Sequence, residues 1–513
     1  MSWSREPDRA GARRTARRVG GGLGVVHRRV PVGRSHLDRR PRPRARRRRR
    51  GAVPLVSPSA RPTGVPATYP YPAVPFTRLL DDAAHDFPSH EAVAFRGHTL
   101  TYRELLDQVD RCAAGLADLG ITQGDRLASL LSPSPQVVIV TLAAARLGAV
   151  LVPLPFDISP EPIAHAVTDT GCRALVCEDR AYATVAQLKG RLPTLVHLLV
   201  TSPVAYAAFP RTLRGRLPRQ ARRDGAVGLK ELIRRSPPAA RQAPVDPAGD
   251  LLAVVGTWGA GTTADRVPVS AWDRGVALTH DAAVVASFQA RLWIPDVQAG
   301  RERVLLAADP WSGFWLSGGL GLSLLSAARM GFPSAEATRI DRDVGDQQAT
   351  LAVGGVARLA GDRGDHDPPA ADAGLGGRAE LTSLRVALVD GPVAPAAVER
   401  AHSRGGVRLR GGLALPELAG LAIADPVYGR ARAGSYGLPL PDVAARVVDE
   451  DERPAADGAT GRLEVAGPQL LRGYWGRPEQ TRAVLRDGWL RTGRWAVRDA
   501  EGFLWPAPPP ATA

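Results

Sequence analysis

The stretch Leu251–His280, LLAVVGTWGAGTTADRVPVSAWDRGVALTH, holds the residues of this 513-residue chain best suited to chemistry. Its apolar start, Leu251–Val255, reads as a buried strand that opens into a glycine- and threonine-rich loop containing Gly261, Thr262 and Thr263. Such a loop can cradle phosphate. Glycine lets backbone N–H groups approach an anion closely, and threonine hydroxyls add donors. An ordinary turn accounts for the same residues, so the loop alone leaves both readings open. A helix is expected after His280, which could line the same site or serve that helix structurally.

Other constellations offer less. Gly318-Gly319-Leu320-Gly321 sits among leucine and serine and reads as close helix packing rather than a dinucleotide loop. Asp449–Glu452 falls at an expected turn as a solvated acidic run, and Asp365-His366-Asp367 lacks a further ligand. No Gly-x-Ser-x-Gly or His-Glu-x-x-His occurs. Cys112, Cys172 and Cys177 form no CxxC pair and no zinc spacing with histidine, so free, buried thiols in a reducing compartment are expected.

The charge is lopsided. The formal net charge is +16, yet residues 1–50 alone carry 18 arginines against Glu6, Asp8 and Asp38. That leaves 49 of the 67 basic and 48 of the 51 acidic groups in the remainder, a nearly neutral body. A basic nucleic-acid-binding body is thereby excluded, because a phosphate footprint needs cations spread over a folded surface. Only Lys189 and Lys230 are lysines, so chemistry needing a lysine beyond position 230 is excluded as well.

The elements that must position the loop follow from periodicity. Residues 1–66 read as a disordered Arg-rich tail or a mis-assigned leader, lacking apolar periodicity to offset ordering entropy. From Tyr69 the chain alternates helix and strand. Helices are expected over Phe76–Phe87, Thr101–Leu119, Val137–Leu147 and Glu161–Thr170. Strands are expected over Ala92–Arg96, Arg126–Leu131, Ala149–Leu154 and Ala174–Cys177. Thr101 with Glu104 forms a capping box. The apolar run Val137–Phe156 is too broken by Arg146, Gly148, Pro153 and Pro155 to cross a membrane. Pro210–Pro247 reads as a polar surface excursion, Gly361–Arg378 as a loop, and the part after Tyr436 as short strands between turns. Strand–helix alternation predicts parallel sheets covered by helices.

A wider resemblance resolves the ambiguous loop. LTYRELLDQVDRCAAGLADLGITQGDRLA (Leu100–Ala128), AARLGAVLVPL (Ala144–Leu154), GSYGLPLPDVAARVVDED (Gly434–Asp451), GPQLLRGYWGRPEQT (Gly467–Thr481), DGWLRTG (Asp487–Gly493) and RDAEGFLW (Arg498–Trp505) occur in order. Together they resemble the acyl-adenylate-forming (AMP-binding) superfamily over roughly Tyr69 to Trp505, most of all its long-chain fatty-acid–CoA ligases. HLLVTSPVAYAAFPRTLRGRLP (His197–Pro218) is similar to the segment that marks the fatty-acyl branch. In that family a carboxylate attacks the α-phosphate of Mg-ATP, giving acyl-AMP and pyrophosphate, and the thiol of coenzyme A then displaces AMP. Both reactants are anions, so the chemistry needs positioning and cationic stabilisation.

Residue by residue, the resemblance is uneven. The family's phosphate loop reads Ser-Gly-Thr-Thr-Gly-x-Pro-Lys-Gly. Here Ala260 and Ala264 replace Ser and Gly, Gly261, Thr262 and Thr263 are kept, and Arg274-Gly275 stands at Lys-Gly after an insertion. Arg274 could supply the lysine's charge with a different donor geometry. The family's Tyr-Gly-Leu-Thr-Glu corresponds to Gly411-Gly412-Leu413-Ala414-Leu415. Gly412 is kept for the nucleotide, but Leu415 replaces the magnesium-binding glutamate and cannot ligate. Glu417, two residues on, is the candidate substitute. Arg494 replaces the ribose-binding aspartate and can only donate. Ser312-Gly313 replaces the Phe-His of the acyl pocket.

The resemblance implies an α/β fold, the large N-terminal body of an adenylate-forming enzyme. Two helix-flanked sheets are expected within 67–435 and a β-rich subdomain over 436–505, with a Pro-rich end at 506–513. The Gly-Arg-x-Lys hinge and lysine-bearing C-terminal lid are expected to be missing. Two functions are carried: an impaired AMP-forming fatty-acyl–CoA ligase, or a non-catalytic pseudoenzyme binding an acyl chain or a partner protein. Arg274 and Glu417 are the catalytic candidates, and Gly261, Thr262, Thr263 and Gly412 the nucleotide-binding ones, with no intact metal site. ATP, Mg2+ and coenzyme A are the implied cofactors, a fatty acid or other carboxylate the substrate, and a lid-supplying protein in trans a conceivable partner. Cytoplasmic location is expected.

Overall fold

Two sheets arise from the strand–helix alternation, and their layout sets where a ligand can sit. The computed structural model describes residues 62–208, 221, 224–238, 243–258, 272–334, 340–361, 374–376 and 381–510. The Arg-rich tail up to residue 61, the loop bearing Gly261, Thr262 and Thr263, and Asp365-His366-Asp367 lie outside these residues.

One sheet has seven strands, in the order Arg408–Arg410, Val386–Val389, Leu351–Gly354, Arg303–Ala307, Arg329–Gly331, Glu91–Phe95 and His98–Thr101. All neighbours are parallel except the last pair, a hairpin. The other has eight strands, in the order Gly473–Tyr474, Trp272–Thr279, Leu251–Trp258, Val150–Pro153, Arg126–Leu130, Ala174–Glu178, His197–Thr201 and Val227–Gly228. It is parallel from Leu251–Trp258 to Val227–Gly228 and antiparallel at the other two pairings. Beyond Gly411 a three-stranded sheet (Gly412–Leu415, Gly420–Ala424, Leu438–Pro439) and a five-stranded antiparallel sheet follow.

Local signals placed these elements well. Thr101 starts the helix Tyr102–Asp118: its hydroxyl accepts from Glu104 N at 3.2 Å, and its own N–H donates to Glu104 Oε2 at 2.8 Å. The broken apolar run resolves into a fully buried helix, Pro135–Arg146, and the strand Val150–Pro153. No helix among the described residues is long and apolar enough to cross a membrane. Gly318–Gly321 lies in a buried π-helical turn, Trp315–Gly321, that packs on the helix His280–Leu292, as close packing predicts. The three cysteines are free and buried, and burial pushes the Cys172 thiol up to about 11.

One expectation fails in part. Within the supposed surface excursion Pro210–Pro247, Val227–Gly228 extends the eight-stranded sheet, and the helix Leu229–Arg235 buries Leu229, Leu232 and Ile233. The fit against Tyr102–Asp118 is close: a Cβ on Gly115 would lie 2.5 Å from Leu232 Cγ. Three apolar residues within seven are too few for periodicity to stand out from the arginines around them.

Arg146, at the last turn of Pro135–Arg146, has a side chain only 1% exposed. It pairs with Asp81 Oδ1 at 2.8 Å and Asp110 Oδ1 at 3.0 Å, so one guanidinium joins three helices. Burial raises the Asp110 carboxyl and Arg146 opposes that rise. Removing the cation takes the ion pair from Asp81 and from the more buried Asp110. Arg146→Ala should therefore destabilise the protein by about 3–5 kcal/mol, measured by urea unfolding, whereas Arg78→Ala, on the exposed Asp82 pair, should cost about 0.5 kcal/mol.

Candidate active site

The antiparallel pair Leu251–Trp258 and Trp272–Thr279 brackets the expected phosphate loop, with Gly256 opposite Gly275 and Trp258 opposite Trp272. The two indoles meet edge to face, centroids 5.3 Å apart, at the point where the loop leaves and returns. A Cβ on Gly256 would fall 2.6 Å from Trp258 Nε1, so the aromatic pair demands glycine there. Trp272 Nε1 donates to Asp169 Oδ2 at 2.9 Å, and Arg477 Nη1 reaches the same oxygen at 3.0 Å.

A third segment lies against this pair. Gly473 pairs with Ala277 and Tyr474 with Val276. Arg472 N donates to Ala277 O at 3.0 Å and Trp475 N to Gly275 O at 2.7 Å, while Leu471 N donates to Glu417 O at 2.8 Å. Through this segment the two catalytic candidates come together. Tyr474 Oη donates to Glu417 Oε1 at 2.9 Å, and the Arg274 guanidinium lies over the Tyr474 ring, 5.0 Å from its centroid. Asp273 Oδ2 holds Arg274 Nε at 2.6 Å. The two terminal nitrogens of Arg274 have no hydrogen bond among the described residues, leaving the fork that suits phosphate. Burial and the Glu417 carboxylate raise the Tyr474 phenol, which therefore stays a donor.

The other described residues singled out in the sequence are held by their own surroundings. Gly412 is buried and opposite Ala424; a Cβ there would come 2.6 Å from Ile423 O, so its own strand partner already requires glycine. Leu415 ends that strand, and the turn Pro416–Leu418 carries Glu417 past it toward Tyr474. Arg494 lies near the buried Tyr436, whose phenol burial raises and Arg494 lowers. Gly313 packs closely on the backbone of Ala419 and Gly420: a Cβ would be 3.2 Å from Ala419 C, a tight contact. Ser317 Oγ seals that contact by donating to Ala419 O at 2.6 Å. His280 is fully buried and serves the core. Its Nδ1 accepts from Phe76 N at 3.2 Å, and Thr279 caps its helix by accepting from Ala282 N at 3.1 Å.

Sequence reading missed a cavity of about 420 Å³ lined by Phe95, Arg96, Phe156, Arg180, Ser334 and Arg358 among others. Each of these six is at or just past the carboxyl end of a parallel strand, and both large sheets contribute. Open α/β sheets bind ligands at that edge. Arg180 stacks on Phe156 at 4.9 Å and pairs with Glu178 Oε2 at 2.7 Å. On the same edge Asp309 follows Arg303–Ala307 and Asp390 follows Val386–Val389. Both carboxylates reach solvent yet are walled in by surrounding chain, which pushes Asp309 up to about 6 against the opposing pull of Arg358. The signal that could have found them is position: an acid directly after an apolar strand of four or five residues.

The donors present allow a limited metal site. No group of three or more His, Cys, Asp or Glu gathers among the described residues. Glu417 nevertheless keeps its second oxygen free of hydrogen bonds from described residues, and Mg2+ commonly takes one or two carboxylates together with water and phosphate.

Comparison with known proteins bears on the family and the fold. The model of a family described as AMP-binding enzyme matches residues 80–475. A long-chain-fatty-acid–CoA ligase of Bacillus subtilis (strain 168) is 26% identical over 459 residues, covering 86% of this chain and 78% of the relative. A feruloyl-CoA synthase of an Amycolatopsis species is 28% identical over 423 residues, covering 81% and 75%. In fold, the chain is similar to the anthranilate CoA ligase AuaEII, solved in complex with anthranoyl-AMP. The TM-score is 0.71 at 19% identity, covering 86% of this chain and 77% of that one.

The buried His280 makes a prediction about acid stability. Burial lowers its pKa from 6.5 to about 4, with Asp250 opposing. The unfolded chain then binds the extra proton first, so the stability tied to neutral His280 is complete above pH 6.5 and falls away as pH drops toward 4. The shift corresponds to about 3 kcal/mol across that window. His280→Asn, which keeps an acceptor for Phe76 N, should flatten this limb in urea unfolding from pH 4 to 7. An unchanged slope would assign the acid sensitivity to other groups.

Proposed function

The chain belongs to the AMP-binding enzyme family, and from that premise we propose that it activates a carboxylate with ATP, forming acyl-AMP and pyrophosphate and then an acyl thioester of coenzyme A. The observation that carries this reading is the meeting of Arg274, Tyr474 and Glu417 beside the strand pair that brackets Gly261, Thr262 and Thr263. Two anions must approach for the first step, and their repulsion is the barrier a site has to lower. Arg274 is suited to that task, because Asp273 holds its Nε and Tyr474 supports its plane, while its two outer nitrogens have no hydrogen bond among the described residues. Gly261, Thr262 and Thr263 would add backbone and hydroxyl donors to the phosphates, and Gly412 lies on the strand leading to Glu417.

Mg2+ arriving with ATP would find Glu417 as its protein carboxylate; when bound it neutralises phosphate charge. The cavity rimmed by Arg96, Arg180 and Arg358 suits a phosphate-bearing co-substrate such as coenzyme A, with Phe95 and Phe156 as apolar walls. For the acid itself, fatty and aromatic carboxylates are the classes supported by the similar ligases. A second reading, a relative that binds acyl chain or partner without turnover, is favoured by Leu415 at the metal position and Arg494 at the ribose position.

ATP–pyrophosphate exchange by the purified chain, across fatty and aromatic acids, separates the two. Exchange with at least one acid is expected, and Arg274→Ala should lower it about 100-fold, as loss of one charge-stabilising donor typically does. Absence of exchange together with absence of ATP binding by calorimetry would decide for the non-catalytic reading.

A further inference from the structure

We propose that Tyr474 is a positioning residue for this site, holding Arg274 and Glu417 in one fixed arrangement; the inference rests on the adenylation reading above. Tyr474 is buried, with 4% of its surface accessible, and its place leaves little freedom. Its N–H donates to Thr481 Oγ1 at 2.8 Å, and residues on both sides are hydrogen-bonded to the strand Trp272–Thr279. The ring and the hydroxyl then act on different partners. The face of the ring supports the guanidinium of Arg274. The hydroxyl donates to one oxygen of Glu417 and leaves the other without a hydrogen bond from the described residues.

This division matters because each partner has little else to hold it among the described residues. Arg274 has three rotatable bonds beyond its Cβ, and among the described residues its guanidinium hydrogen-bonds only to its exposed neighbour Asp273. Glu417 sits on a three-residue turn, half-exposed, with Tyr474 as its one side-chain hydrogen bond among the described residues. A phenol between a cation and a carboxylate also keeps the two from closing into a direct ion pair, in which Arg274 would spend its fork on Glu417 rather than on phosphate.

The two functions can be removed separately. Tyr474→Phe keeps the ring and deletes the hydrogen bond, so the Mg2+ concentration giving half-maximal pyrophosphate exchange should rise about fivefold, the usual worth of one hydrogen bond. The KM for ATP at saturating Mg2+ should stay unchanged. Tyr474→Leu removes the platform as well, and should in addition weaken ATP binding by calorimetry, without metal, about threefold. In Glu417→Gln the further change Tyr474→Phe should have no added effect on the Mg2+ requirement. Thermal midpoints of all variants monitor folding, and a purely structural role would lower those midpoints with the Mg2+ requirement and ATP affinity left at wild-type values. That result, or additive effects in the double variant, overturns the inference while leaving the adenylation reading intact. A wild-type chain that neither exchanges pyrophosphate nor binds ATP overturns both.

Discussion

The backbone pairing of Gly473–Tyr474 with Trp272–Thr279 is the contact on which the candidate site depends. It adds an edge strand to the eight-stranded sheet from a segment almost 200 residues later in the chain. Main-chain hydrogen bonds at Ala277, Gly275 and Glu417 fix this segment whatever the side chains do. Because the pairing has a period of two, a slip of one residue would turn Tyr474 away from Arg274 and Glu417 altogether. Thr481, in the following helix Pro478–Val484, holds the Tyr474 amide and so guards that register.

Around this junction the molecule separates stability from chemistry. The strongest buried charges, Arg146 with Asp81 and Asp110, lie between helices and join the layers. His280 is likewise consumed by the core. Among the described ionisable groups, the Arg274 fork and one Glu417 oxygen keep unspent capacity beside the strand pair, and Asp309 and Asp390 sit at the carboxyl ends of strands. Burying ionisable groups costs stability unless they are paired, so unpaired ones tend to collect where a ligand can complete them.

Departures from the family pattern gain meaning in three dimensions. Leu415 stands where the family pattern has its metal-binding glutamate, and the turn Pro416–Leu418 brings Glu417 to Tyr474, which a linear comparison cannot show. Gly313, standing where the family pattern has a histidine, suits the close approach of Ala419 and Gly420. Gly412 is held by its own strand pairing, so its presence is explained by packing before any nucleotide is considered.

The sequence by itself determined the elements and the family. The Thr101–Glu104 capping box, the helices at 3.6-residue spacing and the apolar strands are set by interactions within a few residues, which a linear reading contains in full. The resemblance that spans Tyr69 to Trp505 carried the fold class for the same reason, since it preserves those local patterns in order. The short helix Leu229–Arg235 escaped, because its three apolar residues count only once Gly115 offers them a surface. Tertiary structure alone decided that Arg274, Glu417 and Tyr474 are neighbours, that the rim of arginines encloses a cavity, and that Asp309 and Asp390 share an edge. Those facts depend on pairings between segments distant along the chain, set by register and packing across sheets, and no local pattern encodes them.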